Sequence, residues 1–200
     1  DALPICESYG TIQASIDDAT AGNVIEVAAG TYSEKITITK SLTLTGNGSD
    51  DNANASRLDC MAGVNSSEPR YHMMEVPDGV SDVTIQGFRF EGDGIQATNN
   101  YDIFEYALRA VGGSNGISGV VVTDNTFIGS ERAVYLGGNL TNSSVTNNLI
   151  EEITDWWTIA ITCFDVTATL DNITISGNEI RNSTSIPIVL MNYHKSPNYG

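Results

Sequence analysis

Four eight-residue stretches of this chain follow one pattern: VTIQGFRF (residues 83–90), VVVTDNTF (120–127), SSVTNNLI (143–150) and ITISGNEI (173–180). Each stretch reads as a short alternating strand, a polar pair, and a large apolar residue two places beyond the turn. The copies start at uneven intervals, which is typical of repeated units that carry loops of different length. A chain that repeats one supersecondary unit in this way is predicted to form a solenoid.

The sixth place of the pattern is asparagine in three copies, Asn125, Asn148 and Asn178, and phenylalanine in the first, Phe88. Asparagine tolerates the left-handed conformation of a sharp bend, and its amide can hydrogen-bond the identical amide one level above or below. We therefore predict a ladder of stacked asparagines that starts late or ends in an aromatic stack at Phe88.

Apolar or alternating strands follow each stretch, at residues 108–111, 133–136, 159–163 and 186–191. Strands stacked in parallel about 4.8 Å apart would point every second side chain inward. The predicted inward column consists of Val134, Leu136, Ile159, Ile161, Ile186 and Ile188. An antiparallel sandwich is the alternative, but hairpin signals such as Asn-Gly between adjacent strands are scarce.

The first fifty residues predict a helix followed by strands. Ile12, Ile16 and Ala19 recur at helical spacing after Thr11, a suitable N-cap, and Gly22 can end the helix. Strands are predicted at residues 24–27, 35–39 and 42–45, separated by Gly30 and by the Lys40-Ser41 pair. A short amphipathic helix over the first level would close the open end that every solenoid has to cap.

The run IQASIDDATAGNVIEVAAGTYSEKITITKSLTLTG (residues 12–46) resembles the N-terminal cap and first coil of the pectin-lyase-like superfamily. The four stretches resemble the generic parallel β-helix repeats of surface and carbohydrate-related proteins, many of them archaeal. The resemblance implies an all-β fold, a right-handed single-stranded parallel β-helix with a short N-terminal capping α-helix. It implies one domain over residues 1–200, with a cap (1–23), coils (24–191) and a tail (192–200). It leaves function open, because this fold carries lyases, hydrolases, esterases, tailspikes, adhesins and wall components.

The composition of the chain argues against several classes of partner and location. The net charge is −16, with 25 acidic and nine basic residues, which argues against nucleic acid and anionic lipid as partners. No apolar run approaches the roughly 18 residues that a membrane span needs. The chain begins at Asp1 without a basic targeting segment, and we interpret it as an exported protein whose signal peptide has been removed, the alternative being a recombinant chain that begins in the same way.

The glycosylation pattern Asn-x-Ser/Thr favours the same interpretation. The chain has 18 asparagines, and serine and threonine make up 38 of its 200 residues, so chance would give about three or four such sites. Seven are present: Asn47, Asn54, Asn65, Asn139, Asn142, Asn172 and Asn182. We expect an extracellular or cell-surface protein with covalent N-glycans, the alternative being that turns of this fold are simply rich in Asn, Ser and Thr.

Cysteines and carboxylates suggest structural roles. Cys6 lies beside the predicted cap helix and Cys60 ends an early strand, so we predict a Cys6–Cys60 disulfide in an oxidising setting. Cys163 is in phase with Ile159 and Ile161 and is expected to be a buried thiol. We predict no resident cofactor. Calcium bridging stays open, with candidate oxygens in Asp50, Asp51, Asp82, Asp93 and Asp102, although no run matches a spaced calcium loop.

The sequence offers no catalytic set. His72 and His194 lie far apart without a nucleophile motif, and the polygalacturonase-like and pectin methylesterase signatures of the resembled superfamily are missing. The alternative enzyme is a calcium-assisted polysaccharide lyase with Arg109 or Arg132 as base, since both head strands one level apart. Asp102 and Glu131 would then supply ligands; otherwise both arginines pair with surplus carboxylates.

Two aromatic segments are candidate contact sites. Trp156 and Trp157 point to opposite sides of an extended segment, so one is free to stack on a sugar or anchor a protein, unless both cover the core. The tail carries Tyr193 and Tyr199 but no amphipathic helix, so the last level is predicted to be bare unless this tail, another subunit or further coils of the natural protein cover it. A capped start and an open end favour head-to-tail association into a filament or sheet.

The function expected from these patterns is that of an exported, glycosylated structural subunit of a cell-surface layer, sheath or filament, with the chain itself as partner. The alternatives are the calcium-assisted polysaccharide lyase and a glycan-binding adhesin or tailspike module.

Overall fold

The computed structural model describes residues 2–4, 10–59, 71–92, 104–130, 132–153, 157–163 and 168–192. Over these ranges the chain is all-β with one short helix, and every pairing between described strands is parallel. The predicted all-β class, the parallel sheets and the short N-terminal helix are therefore confirmed. An antiparallel sandwich is excluded for this part of the chain.

The helix is α1 (Ile12–Asp18). The strands, in chain order, are β1 (Ala2–Pro4), β2 (Val24–Val27), β3 (Gly30–Tyr32), β4 (Ile36–Thr37), β5 (Leu42–Gly46), β6 (Ser56–Asp59), β7 (Tyr71–Val76), β8 (Val83–Gln86), β9 (Phe88–Glu91), β10 (Phe104–Ser118), β11 (Val120–Thr123), β12 (Thr126–Ile128), β13 (Val134–Thr146), β14 (Leu149–Glu151), β15 (Trp157–Cys163), β16 (Leu170–Ser176), β17 (Glu179–Arg181) and β18 (Ile186–Asn192). Gly30, which we expected to separate two strands, instead begins β3.

The strands stack in three columns. The first column contains β1, β2, β5, β8, β11, the second half of β13, and β16. The second is a separate six-stranded sheet of β3, β6, β9, β12, β14 and β17. The third contains β4, β7, the first halves of β10 and β13, β15, and β18. The chain visits the three columns in turn and then returns to the first one level further on, and we call one such passage a coil.

The four repeated sequence stretches lie in register. Val83 pairs with Val120, Val121 with Ser144, and Ser143 with Ile173. The first residues of the four stretches therefore lie directly above one another along the first column. Their apolar ends also align in the second column, as Phe90, Phe127, Ile150 and Ile180. The rings of Phe90 and Phe127 stack with centroids 4.6 Å apart. The repeat in the sequence is therefore the repeat of the fold.

The asparagines at the sixth place hydrogen-bond along the stack. Asn125 Nδ2 donates to Asn148 Oδ1 at 3.2 Å, and Asn148 Nδ2 donates to Asn178 Oδ1 at 2.9 Å. Each amide also donates to a strand carbonyl of the preceding coil, those of Ile85, Val122 and Val145 respectively. In the first copy the backbone N–H of Phe88 donates to Asn125 Oδ1 at 3.0 Å, so the ladder begins at Asn125.

The left-handed bend lies one place earlier than we expected. The fifth place has positive φ in all four copies, with 72° at Gly87, 55° at Asp124, 54° at Asn147 and 66° at Gly177. The ladder asparagines are absent from the residues with positive φ. Glycine, asparagine and aspartate are the residues that adopt this conformation at lowest cost. The fifth residue therefore makes the turn, and the sixth bonds the coils together.

The helix α1 closes the first coil. Ile12 and Ile16 are 1% and 0% exposed, and the N-cap Thr11 accepts a hydrogen bond from Ala14 N, as predicted. The carboxylate of Glu34 accepts hydrogen bonds from the N–H groups of Ile12 and Gln13 at 2.8 and 3.0 Å, which satisfies two donors of the first turn. The helix ends at Asp18, before Gly22.

The predicted inward column is buried except in the last coil. Val134, Leu136, Ile159 and Ile161 are at most 2% exposed, whereas Ile186 is 54% and Ile188 is 44% exposed. The prediction that Ile186 and Ile188 are buried is wrong. They continue the same column, because they pair with Trp157 and Ile159 of β15, but no described strand stacks below β18.

Candidate functional site

The open end of the stack presents an aliphatic surface. Among described residues the exposed large hydrophobic side chains are Ile186, Ile188 and Leu190, all on β18, and Leu190 is 71% exposed. Ile173, Ile175 and Ile180 lie at the same level in the other two columns and are partly buried against the core. We define the last-coil face by these side chains: Ile173, Ile175, Ile180, Ile186, Ile188 and Leu190.

A cavity opens on the last-coil face. Its volume is about 490 Å³, and its walls include Ile161, Leu170, Ile175 and Leu190. The strand β17 borders the same end with Arg181, whose Nε lies 3.2 Å from an oxygen of Glu151 and 3.2 Å from one of Glu179. A contiguous apolar surface rimmed by charged groups is the usual form of a protein contact site.

Arg109 and Arg132 occupy different environments. Arg109 pairs with Glu75 through Nη1 and Oε1, and their side chains are 29% and 23% exposed. Strand register aligns Leu108 with Val134, so Arg132 lies three residues off the position equivalent to Arg109. Our expectation that the two arginines head equivalent strands is therefore wrong. It failed because loops of different length precede the two strands.

Arg132 packs into an aromatic cluster outside the main core. It is 7% exposed, and its guanidinium carbon lies 5.3 Å from the ring centroid of Tyr106 and 5.7 Å from that of Trp157. Tyr106 stacks on Tyr135 at 4.6 Å, and Thr162 Oγ1 donates to the hydroxyl of Tyr135 at 2.6 Å. Trp157 is partly buried in this cluster, which sequence patterns had not revealed.

Several predicted residues lie outside the described part of the chain: Cys6, Cys60, Asn65, Asp93, Asp102, Glu131, Trp156, Tyr193, His194 and Tyr199. The disulfide, the tail contacts and one tryptophan therefore stay predictions. His72 is described and buried, with its ring 5.9 Å from that of Tyr106. Cys163 is buried, as expected, and its thiol donates a hydrogen bond to Ala168 O at 3.4 Å.

The described carboxylates form no metal cluster: no group of three or more His, Cys, Asp or Glu residues among them is close enough to hold an ion. Asp51 instead pairs with Arg57 at 2.9 Å. This hydrogen bond, with the nearby charge of Arg89, lowers the pKa of Asp51. Asp82 lies at a left-handed turn with φ of 54°.

Asp78 has a role that the sequence did not reveal. Its carboxylate accepts hydrogen bonds from Gly113 N at 2.6 Å, Asn115 N at 3.3 Å and Asn115 Nδ2 at 3.0 Å. Desolvation alone would raise the pKa of Asp78, but these bonds and one from the backbone of Gly116 outweigh it and lower the pKa. The carboxylate thereby ties the turn within β10 to the coil before it.

The described glycosylation acceptors differ in their exposure. Asn47, Asn54, Asn142, Asn172 and Asn182 are exposed. Asn139 is partly buried. Its Oδ1 accepts a hydrogen bond from Thr169 N at 2.7 Å, and its Nδ2 donates one to Gly113 O at 2.8 Å.

Three acceptors lie at left-handed positions: φ is 50° at Asn142, 53° at Asn172 and 51° at Asn182. The backbone itself favours asparagine there, so part of the excess of acceptor sites has a conformational cause.

Comparison with known proteins found no matching family model, no matching curated protein and no matching solved structure. Within the described ranges, no helix has the length and apolar character to cross a membrane.

Proposed function

We propose that the three columns form a right-handed single-stranded parallel β-helix like that of the pectin-lyase-like superfamily. Three observations support this: the in-register repeats, the asparagine ladder and the helix over the first coil. Right-handedness is the expectation for parallel strands joined by crossover connections.

The function that the geometry supports best is that of an exported structural subunit, of archaeal surface-protein type, in a cell-surface layer, sheath or filament. The observation that carries it is the last-coil face, where the column that buries Ile159 and Ile161 continues into exposed Ile186, Ile188 and Leu190. An aliphatic layer of this kind is stabilised when a second protein surface covers it. The exposed acceptor sites fit a glycosylated surface protein, and the charge of −16 favours solubility there.

The geometry gives less support to the lyase and to the adhesin. A base has to reach its substrate, whereas Arg109 is engaged by Glu75 and Arg132 is packed between the rings of Tyr106 and Trp157. An adhesin needs an exposed aromatic platform, whereas Trp157 is partly buried.

Sedimentation velocity over a range of protein concentrations, with and without calcium, tests the structural proposal. We expect the mass to rise with concentration for the unmodified chain, and Leu190→Asp to shift the dissociation constant upward by at least tenfold, because it places a charge in an apolar contact. Thr174→Asp is the matched control, since it adds the same charge to an exposed polar position of the same coil. An unmodified chain that stays monomeric at every concentration refutes the proposal.

A further inference from the structure

We propose that two copies of this chain associate tail to tail, last-coil face against last-coil face, about a two-fold axis through Ile180. The proposal rests on the proposed structural function and specifies its elementary contact. It replaces the head-to-tail contact that the sequence led us to expect with a two-fold pair that carries a helix α1 at each far end, so that a layer, sheath or filament would have to grow from this pair through the sides of the stack.

The end of the stack that carries α1 cannot pack against the last-coil face without rearrangement. Beneath α1 the first coil is covered, and Ile12 and Ile16 are buried. Gln13 exchanges hydrogen bonds with the backbone of Thr37, donating through Nε2 at 3.2 Å and accepting through Oε1 at 2.7 Å. Lys40 Nζ donates to the carbonyls of Asp17 and Ala19 at 2.9 and 2.8 Å. A head-to-tail contact would have to displace this fastened helix or rest on its polar outer face.

Charge also disfavours a head-to-tail contact. The outer face of α1 exposes Asp17 and Asp18, while the last coil exposes Asp171 and Glu179. Carboxylates would therefore face carboxylates across the junction, in a chain that already carries a large negative charge.

The last coil, by contrast, is complementary to itself. The strand β17 reads Glu179, Ile180, Arg181, with the two charged residues exposed on either side of an inward isoleucine. If two copies of β17 pair antiparallel about Ile180, each Glu179 lies opposite the partner's Arg181 and the two isoleucines meet. This is the residue-to-residue reciprocity that a two-fold interface requires.

The other two columns fit the same axis. A two-fold axis through the second column places β16 of one copy opposite β18 of the other, and each of these strands has seven residues. Pro187 has no N–H to donate, so β18 contributes mainly its aliphatic side chains rather than a complete backbone ladder. Ile186, Ile188 and Leu190 would then lie over the partner's Ile173 and Ile175.

The area is sufficient for a moderate dimer. Seven-residue strands are about 23 Å long, so the end of one coil with its side chains offers on the order of 600 Å² to each partner. That value is near the lower limit of stable interfaces, for which roughly 1,200 Å² is buried in total. We expect a dissociation constant in the micromolar range.

Charge swapping and cross-linking at β17 distinguish this dimer from other assemblies. Glu179→Arg sets like charges opposite each other at two symmetric positions, and we expect it to weaken dimerisation about tenfold, as measured by sedimentation equilibrium. The double variant Glu179→Arg/Arg181→Glu restores opposite charges and should bring the dissociation constant back to within about threefold. If Glu179 and Arg181 contributed only to solubility, the double variant would not restore the dissociation constant.

Cross-linking tests the axis itself. The thiol introduced by Ile180→Cys lies opposite its own copy, and we expect a covalent dimer on mild oxidation. Thr174→Cys, off the axis in the same coil, serves as control and should cross-link far less, with the native cysteines as common background.

Four results are informative. A dimer with charge rescue, together with a disulfide cross-link in the Ile180→Cys variant, supports the proposal. Polymers without the cross-link overturn the tail-to-tail contact but leave the structural function intact. A monomer at all concentrations overturns both. A monomer in which the β18 amides that point away from β15 are protected from hydrogen exchange shows that this chain covers its own last-coil face, and also overturns the dimer.

Discussion

The asparagine ladder allows a sharp prediction at Asn148, the middle member. This amide is 1% exposed and bonds to both neighbouring coils: its Nδ2 donates to Val122 O at 3.0 Å in the preceding coil and to Asn178 Oδ1 at 2.9 Å in the following one, and its Oδ1 accepts from Asn125 N at 3.0 Å. In Asn148→Ala the carbonyl and the N–H lose these partners inside the stack, where water has little access.

Each buried group left unsatisfied costs about 1–3 kcal/mol, so we expect Asn148→Ala to lower the free energy of unfolding by about 3 kcal/mol. For a domain of this size that corresponds to a fall in melting temperature of roughly 6–12 °C. Asn178 ends the ladder and is partly exposed, so water can replace some of its bonds, and Asn178→Ala should cost only about 1 kcal/mol.

Urea unfolding followed by far-UV circular dichroism measures both variants, with comparison of m-values to check that the unfolded states are alike. Asn147→Gly is the matched control. It alters the adjacent asparagine at a left-handed position where two other copies have glycine, and should change stability by no more than about 0.5 kcal/mol. If Asn148→Ala proved as mild as Asn147→Gly, or no worse than Asn178→Ala, the reasoning that the amides hold the coils together would be refuted.

Three further predictions concern single residues. Asp78 has a lowered pKa, so the stability that its ionised form contributes is present above the ordinary pKa of 3.8 and is lost as the pH falls through the lower pKa of the folded state. The variant Asp78→Asn should lack this part of the acid-induced loss of stability, and an unchanged acid unfolding profile would contradict the prediction. In thermal unfolding, Arg132→Ala should destabilise the fold by about 1–2 kcal/mol, because it loses two aromatic contacts. Arg109→Ala should cost less than about 1 kcal/mol, because it loses only a partly exposed ion pair, and equal effects would argue against the packed role of Arg132. In peptide mapping of the chain secreted from a glycosylating host, Asn139 should be the least occupied described acceptor site, because it is partly buried and its amide bridges Gly113 and Thr169, whereas the other described acceptors are exposed. Full occupancy at Asn139 would contradict this prediction.

The sequence predicted the fold where local pattern and global register coincide. The alternation in VVVTDNTF gives both the strand and its inward face, and the apolar residue that recurs at the eighth place forms a continuous stack from Phe90 to Ile180. The left-handed place was harder to see, because four different copies fill it with glycine, aspartate or asparagine, and only alignment by register reveals the shared requirement.

Other features could not be predicted, because they depend on loops and on neighbouring layers. The loops before β10 and β13 differ in length, so counting along the sequence did not give the true partner of Arg109. Alternation gave the direction of Ile186 and Ile188 but predicted them as buried, and only the lack of an amphipathic helix in the tail indicated that their level would be bare. The cluster of Tyr106, Tyr135 and Arg132 is formed on the outer side of the third column. The alternation of apolar residues predicts only which side chains face the core, so it did not predict this outer packing.

The two ends of this stack also differ in how the chain can stabilise them. In a solenoid each coil is stabilised mainly by its neighbours, so an end coil has half the contacts of a middle one. At the first coil, α1 supplies the missing layer from the chain itself, with Ile12 and Ile16 as its apolar side and Glu34 as the acceptor for its first turn. At the last coil, aliphatic side chains alternate along β18 as they do in the core, so the covering surface should itself be aliphatic and strand-like. A second last coil meets both requirements, whereas the polar outer face of α1 meets neither, so of the two possible contacts between copies of this chain the tail-to-tail contact is the more favourable.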